Sequence, residues 1–435
     1  MRVGLLGCGN VGAPLVGLIG RRCDDIASRT GLRLEVTRVA VRSLAKERPV
    51  ELPEGVLTLD AAGLAVDPDI DIVVEVIGGI EPARELILAA LKAGKPVVTG
   101  NKELLANVGA ELFSAAEEAG VDLLFEAAVA GGIPFIRPLR ESLAGERIDR
   151  ILGIVNGTTN YILTRMTEAG ASYADALAEA QSLGYAERDP TADVEGYDAA
   201  AKAAIIASIA FGVRVVAGDV YHEGISNLTT ADIDYAAKMG YVVKLLAVAE
   251  QHRSVTAGAG TGGGDRGDVA VRVHPAMVPQ DHPLASVRDS FNALFVEGEA
   301  VGDLMFYGRG AGGDPTASAV LGDLIDAALN RAKGSHASIG TLSKARIRPI
   351  DEIESAYYLN LDVVDRPGVL AAVAGVFGNH GVSIRSMEQE GLGGEARLVF
   401  ITHVAREADM QATIRDLHHL DAVDRITSVL RVVGS

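Results

Sequence analysis

The first twelve residues constrain the fold of this chain more than any other stretch. Val3-Gly-Leu-Leu-Gly7-Cys-Gly9-Asn10-Val11-Gly12 is a short apolar strand running directly into G-x-G-x-x-G. Behind it Val11, Leu15, Leu18 and Ile19 recur at helical spacing. The glycines allow a tight turn and close approach of a ligand to the backbone, and the helix after them presents free N–H groups at its start. Such a turn suits a pyrophosphate, with Gly7, Gly9, Asn10, Val11 and Gly12 as its cradle. The motif gains its force from the alternation of strands and helices behind it. Strands are expected at 34–41, 71–77, 96–99 and 121–125, with helices at 82–93 and 102–119. That alternation predicts an α/β fold with a doubly wound parallel sheet.

A chain of 435 residues is too long for one core, so two to four domains are expected. Its 48% of hydrophobic residues suffices to fill them, and no run approaches a membrane span. The N-terminus enters a strand at once, leaving no room for a signal peptide, and Cys8 and Cys23 are too few for a disulfide framework. A cytoplasmic location is the expectation. The formal net charge of −18 argues against nucleic acid or an anionic membrane as partner, so the ligands are expected to be small molecules. His274 and His282 stand eight residues apart with prolines between, which is no metal-ligand spacing.

The end of the second strand bears on the nucleotide. Proteins that favour NAD usually place an acid there for the ribose hydroxyl. Here Val39-Ala-Val41 is followed by Arg42-Ser43, with Lys46 and Arg48 beyond. Arg42 can grip a 2′-phosphate by forked hydrogen bonds, so NADP(H) is expected, with NAD(H) as the alternative. Thr99-Gly-Asn101-Lys102 opens a helix just past the carboxyl end of a strand, where open α/β sheets bind ligands. Thr99 and Lys102 therefore join the candidate cofactor residues.

The tract Leu183-Gly184-Tyr-Ala-Glu187-Arg-Asp-Pro-Thr-Ala-Asp193-Val-Glu195-Gly-Tyr-Asp198 places five acids before an apolar helix expected at 199–211. Asp198 and Lys202, four apart, share one helix face. A lysine entering a buried setting loses its proton readily enough for acid–base work. Upstream, Asn156-Gly-Thr-Thr-Asn160-Tyr is a capping-rich turn into a helix, and Ser172-Tyr-Ala-Asp175 is a capping box. Residues 256–268 read as a Gly-rich loop insert.

These strings, in this order, resemble homoserine dehydrogenase: the 183–202 tract, Thr99-Gly-Asn-Lys102, Phe125-Glu126-Ala-Ala-Val129-Ala-Gly131-Gly-Ile133-Pro, Asn156 to Tyr161, 292–298, and Phe306 to Ser318. The resemblance covers residues 1 to about 335 and implies NAD(P)-dependent interconversion of L-homoserine and L-aspartate 4-semialdehyde. It implies Lys202 as proton donor with Lys102 as its partner, and Glu187, Asp198 and Gly184 as substrate-binding residues. It places Gly312 near the nicotinamide. It further implies a monovalent cation, Na+ or K+, held by Glu126 and the carbonyls of Val129, Gly131 and Ile133. Gly100 stands where the family commonly has alanine, and Asp314 where hydrophobic residues are common. The alternatives are another amino-acid-pathway dehydrogenase, or a nucleotide and amino-acid sensor without turnover. A semialdehyde dehydrogenase that forms an acyl phosphate needs a mid-chain cysteine, and both cysteines lie before residue 24.

The last eighty residues read as βαββαβ and resemble an ACT domain, with Asp365-Arg-Pro-Gly368-Val369-Leu370 as its helix-opening turn. That resemblance implies an amino-acid effector held by Asp365, Gly368, Val369 and Leu370, for which threonine, the pathway's end product, is the expected ligand. It also implies a homodimer or homotetramer. The expected organisation is a Rossmann-type nucleotide domain at 1–130 completed by about 305–335, and an α+β catalytic and dimerisation domain at 131–304. A linker at 336–354 then leads to a ferredoxin-like ACT domain at 355–435.

Overall fold

A computed structural model describes residues 1–252, 268–340, 342–391 and 395–434, so the expected insert at 256–268 lies, except for Asp268, outside the described residues. The chain divides into two units: residues 1–150, 201–220 and 292–345, and residues 151–200, 221–291 and 346–435.

The first unit is built on a parallel sheet. Its elements run β1 (Arg2–Leu6), α1 (Gly12–Thr30), β2 (Glu35–Ala40), β3 (Leu57–Thr58), α2 (Ala61–Val66), β4 (Ile72–Glu75), α3 (Ala83–Lys92), β5 (Val97–Thr99), α4 (Lys102–Ala119) and β6 (Leu123–Leu124). The strand order β3-β2-β1-β4-β5-β6 reverses between β1 and β4, which makes the carboxyl ends of those two strands the place for a ligand. Every residue of β4 and β5 is buried, as expected for strands covered on both faces. The helix Gly313–Lys333 returns to this sheet, where Ala317, Val320, Leu324, Ala327 and Ala328 share one core with Val3, Leu5, Val39, Val74 and Val98.

The second unit carries a mixed sheet in which Tyr241–His252 and Asp268–Pro279 pair antiparallel over twelve residues. The four strands Val423–Val432, Glu354–Val364, Glu395–Thr402 and Ile384–Gly391 lie side by side in that order. With the helices Val369–Asn379 and Glu407–His418 they form the βαββαβ module, whose core is Tyr357, Leu359, Leu361, Phe377, Phe400 and Met410. The module is not a separate bead on a string. Val423–Val432 pairs in parallel with Asp268–Pro279 through Ala276 opposite Arg431 and Met277 opposite Val432, so one sheet runs through both. The stretch expected as a linker is likewise tied down: Arg346–Ile347 pairs with Asp268 and Val269, and Arg346 bridges Asp268 and Glu352. No helix among the described residues is long and apolar enough to cross a membrane.

Candidate active site

In the first unit the glycine turn is tight for a steric reason. A Cβ on Gly12 would stand 2.3 Å from the Gly7 carbonyl oxygen, so the helix cannot start here with any larger residue. Gly9 and Asn10 are exposed at the tip, beside the carboxyl end of β1. Two other segments close on this turn. Gly312, with φ of 124°, is the N-cap of the returning helix, and a Cβ on Gly313 would stand 2.7 Å from the Asn10 carbonyl oxygen. The Gly132 N–H donates to the Arg309 carbonyl at 3.1 Å, and Gly131 approaches Gly310 so closely that a Cβ would stand 2.2 Å from its oxygen. Residues 7–12, 126–133 and 309–313 therefore meet, as a nucleotide bound at the switch point would need.

Arg42 is exposed just beyond β2. Arg48 serves the loop instead, donating to the carbonyls of Ser43 at 2.5 Å and Lys46 at 2.6 Å. The Thr99 side chain is turned into the sheet. Its buried hydroxyl donates to Glu75 at 2.6 Å, and the other oxygen of Glu75 accepts the N–H groups of Ile77 and Gly78. Asn101 caps α4 through the Leu104 N–H and donates to the Gly79 carbonyl at 2.6 Å. Thr99, Glu75 and Asn101 thus form a scaffold that presents Lys102, exposed at the first turn of α4. Glu75 escaped the sequence reading; its signal was a charge closing a wholly apolar strand. Leu105 of α4 and Ile205 of the helix Tyr197–Phe211 line one small pocket, so the two helices lie side by side there. Lys202 is buried, at 8% exposure.

In the second unit Asn156 leaves the strand Ile148–Ile154 and caps the helix Gly157–Ala169, its oxygen accepting the Thr159 N–H at 2.9 Å. Its amide nitrogen donates to Asp198 at 2.9 Å and to Asp193 at 2.7 Å. Asp198 is buried, at 8% exposure, on the first turn of its helix. Glu187 and Gly184 sit on an exposed turn, Gly184 at φ of 77°. Two donors hold that turn: the Thr158 hydroxyl reaches the Tyr185 carbonyl at 2.6 Å, and the Gln181 amide reaches the Glu187 carbonyl at 3.0 Å. Asn160 donates to the carbonyl of Asp289 at 2.9 Å. Buried Lys244 donates to the side-chain oxygen of Asn160 at 3.1 Å and to the carbonyl of Val287 at 2.5 Å; burial pushes its ammonium down to about 8. Asn156, Asp193 and Lys244 are further residues the sequence did not single out. Asp193 and Asn156 fall within the acidic tract and the capping-rich turn, whereas nothing local marks Lys244.

At the expected cation loop the Glu126 side chain is engaged by backbone N–H groups. The carboxylate of Glu126 accepts the N–H groups of Phe135, Ile136 and Arg137 at 2.5, 2.7 and 2.9 Å. It therefore anchors the start of a short helix, Ile136–Arg140. Its own N–H donates to Asp323 at 2.7 Å; burial raises Asp323 to about 7, against the pull of that hydrogen bond. Ala130, at φ of 54°, bends the loop in a conformation that non-glycine residues rarely adopt.

In the C-terminal module a cavity of 370 Å³ opens at the expected effector turn, lined by Asp365, Gly368, Val369 and Leu370 and, from the neighbouring strands, Gln389 and Leu398. Gly368, at φ of 89°, is the N-cap of the helix behind it.

A Rossmann-type sheet, a lysine opening one helix and another buried in a second, and a βαββαβ module at the C-terminal end of the chain define an NAD(P)-dependent oxidoreductase with an appended ACT-type module. Comparison with known proteins makes this specific. Residues 7–126 match the NAD-binding domain of homoserine dehydrogenase, residues 134–325 match homoserine dehydrogenase itself, and residues 357–421 match the ACT domain. A homoserine dehydrogenase of Corynebacterium glutamicum is 53% identical, with 99% of this chain and 95% of the relative covered. The crystal structure of a homoserine dehydrogenase from Thiobacillus denitrificans superposes with a TM-score of 0.91 at 42% identity, covering 99% of this chain and 98% of that one. A hyperthermophilic archaeal homoserine dehydrogenase in complex with NADPH matches with a TM-score of 0.60 at 28% identity, over 76% of this chain and 98% of its own. The chain belongs to the homoserine dehydrogenase family. Neither another dehydrogenase nor a sensor without turnover is favoured by these matches.

Proposed function

We propose that the chain interconverts L-homoserine and L-aspartate 4-semialdehyde with NADP(H), NAD(H) being accepted less well, and that Lys202 supplies and recovers the proton. The observation that carries this reading is the start of one apolar helix, where Asp198 and Lys202 are both buried one turn apart. The bound nicotinamide carries the hydride. Lys202 protonates the developing alkoxide and, in the reverse direction, takes the hydroxyl proton. Lys102, with Thr99 and Asn101 fixing its helix, assists at the same oxygen. Asp198 holds the substrate hydroxyl, and Glu187 with the turn at Gly184 holds its ammonium.

The glycine turn supports nucleotide binding, since a Cβ at Gly12 would fill the cradle. Gly7, Gly9, Asn10, Val11 and Gly12 would hold the pyrophosphate, Arg42 the 2′-phosphate, and Gly312 the nicotinamide end. A monovalent cation, Na+ or K+, would be held by Glu126 and the carbonyls of Val129, Gly131 and Ile133, hard oxygen donors suited to it. The cavity at Asp365, Gly368, Val369 and Leu370 would take threonine as effector. Two free thiols suit a reducing compartment and support a cytoplasmic location; the enzyme would work as a homodimer or homotetramer.

The test is to incubate the protein with homoserine and either NADP or NAD and to follow the nicotinamide absorbance. Homoserine-dependent reduction with a higher kcat/KM for NADP is expected. No reduction with either nucleotide would overturn the reading.

A further inference from the structure

Two carboxylates and one amide meet just past the end of the strand Ile148–Ile154, and both ends of the amide are used. The side chain of Asn156 is buried and uses both ends. Its oxygen accepts from the Thr159 N–H at 2.9 Å and from the Thr159 hydroxyl at 3.0 Å. Its nitrogen has two hydrogens, one for Asp193 at 2.7 Å and one for Asp198 at 2.9 Å. The flipped amide would turn an oxygen toward two carboxylates and an NH2 toward an N–H donor, so only one orientation is allowed.

The frame around it is equally fixed. Gly157 lies so close to the Ser290 carbonyl that a Cβ would stand 2.8 Å from its oxygen, and Asn160 and Lys244 bind the same 287–291 segment one turn further on. An aspartate at position 156 would leave three carboxylates at one point and force one of them to keep a proton. An amide instead donates one hydrogen to each acid.

We infer that Asn156 is a positioning residue for the dehydrogenase reaction, clamping Asp198 against Asp193 so that the Asp198 carboxylate is aimed at the substrate hydroxyl. The inference rests on the proposed role of Asp198. Asn156 touches no reacting atom; it acts by setting the direction of an acid that does.

Three variants test it. Asn156→Ser keeps a good N-cap but loses both amide donors. It should bind NADP as the parent does, with KM for homoserine raised roughly 10-fold, the scale of a lost hydrogen bond to a charged group. Asn156→Asp is isosteric and should move the acid limb of kcat/KM upward by about one pH unit or more, since a like charge raises the pKa of its neighbours. A purely structural role would leave that limb where it is. Asp198→Asn separates the two hypotheses. If Asp198→Asn impairs homoserine use while both Asn156 variants keep the parent's KM and pH profile, the positioning inference alone falls. If Asp198→Asn behaves as the parent, the role proposed for Asp198 falls and takes the inference with it. Nucleotide binding, measured on all three, reports that each has folded.

Discussion

The residues expected to do chemistry differ in how the fold treats them, and that difference shapes what each substitution should do. Lys202 is buried on an apolar helix, whereas Lys102 is exposed at a helix start. Lys202→Ala should therefore lower kcat by a factor on the order of 10² or more, the usual scale for a positioned general acid, while NADP binding survives. Near-normal turnover in that variant would remove Lys202 from the proton-transfer role. Arg42 is exposed, so its truncation should not disturb packing. Arg42→Ala should weaken NADPH by roughly 1.5–3 kcal/mol, the range for hydrogen bonds to charged groups, and leave NADH almost unchanged. Equal losses for both nucleotides, read from binding titrations, would mean that Arg42 does not distinguish the phosphate.

Among the elements, the helix Gly157–Ala169 shows how a buried cation can serve a neighbouring segment. Lys244 projects from the strand Tyr241–His252 and fixes both that helix, through Asn160, and the 287–291 segment, in which Asp289 takes a φ of 52°. Its ammonium is at about 8 in the folded chain and near 10.4 in an unfolded one. Between those values the unfolded chain binds more protons, so stability rises with pH across that window. The gain is at most about 3 kcal/mol, from the size of the shift. Lys244→Met removes the titration while keeping the volume. The melting temperature of the parent should therefore rise relative to that of Lys244→Met from about pH 8 to pH 10.4. A constant difference across the window would show that Lys244 is not depressed.

At the scale of the whole chain, the C-terminal module shares a sheet with the strands before it, and this changes what its removal would do. Arg431 of the last strand, 5% exposed, pairs with Glu223 at 2.7 Å and with Glu407 at 2.9 Å. Asp232 accepts from Asn360 and Ser428, and the Tyr235 hydroxyl donates to Glu390. Ending the chain before Ile350 would uncover an edge of Asp268–Pro279 and take these partners from Glu223, Asp232 and Tyr235, at about 0.5–1.5 kcal/mol for each hydrogen bond lost. Such a truncation is expected to melt well below the parent, and one that melts with it would contradict this. Regulation is better read by substitution. Threonine should inhibit the intact chain, and Asp365→Ala should lose that response without loss of uninhibited turnover, with a coupling of about 1–3 kcal/mol. The connection is short: Glu223 precedes Gly224, whose neighbours are Val194 and Glu195, in the turn before Asp198. If millimolar threonine leaves the intact chain's rate unchanged, the cavity at Asp365 is no effector site.

The sequence by itself determined whatever depends on local order. Strand-to-helix alternation and the spacing of glycines specified the parallel sheet, because period and turn sterics act over a few residues. The same held for the N-caps at Asn156 and Ser172, and for the helix that carries Asp198 and Lys202. Tertiary structure decided what depends on residues far apart in the chain. Only folding gave the Glu126 carboxylate to the N–H groups of Phe135, Ile136 and Arg137, turned Thr99 toward Glu75, and brought Asn156 to Asp198 across 42 positions. Only folding joined Arg431 to Glu223 across 208. A side chain's nearest polar partner is set by which surfaces pack together, and a buried donor or acceptor must find one there. No local pattern records that choice.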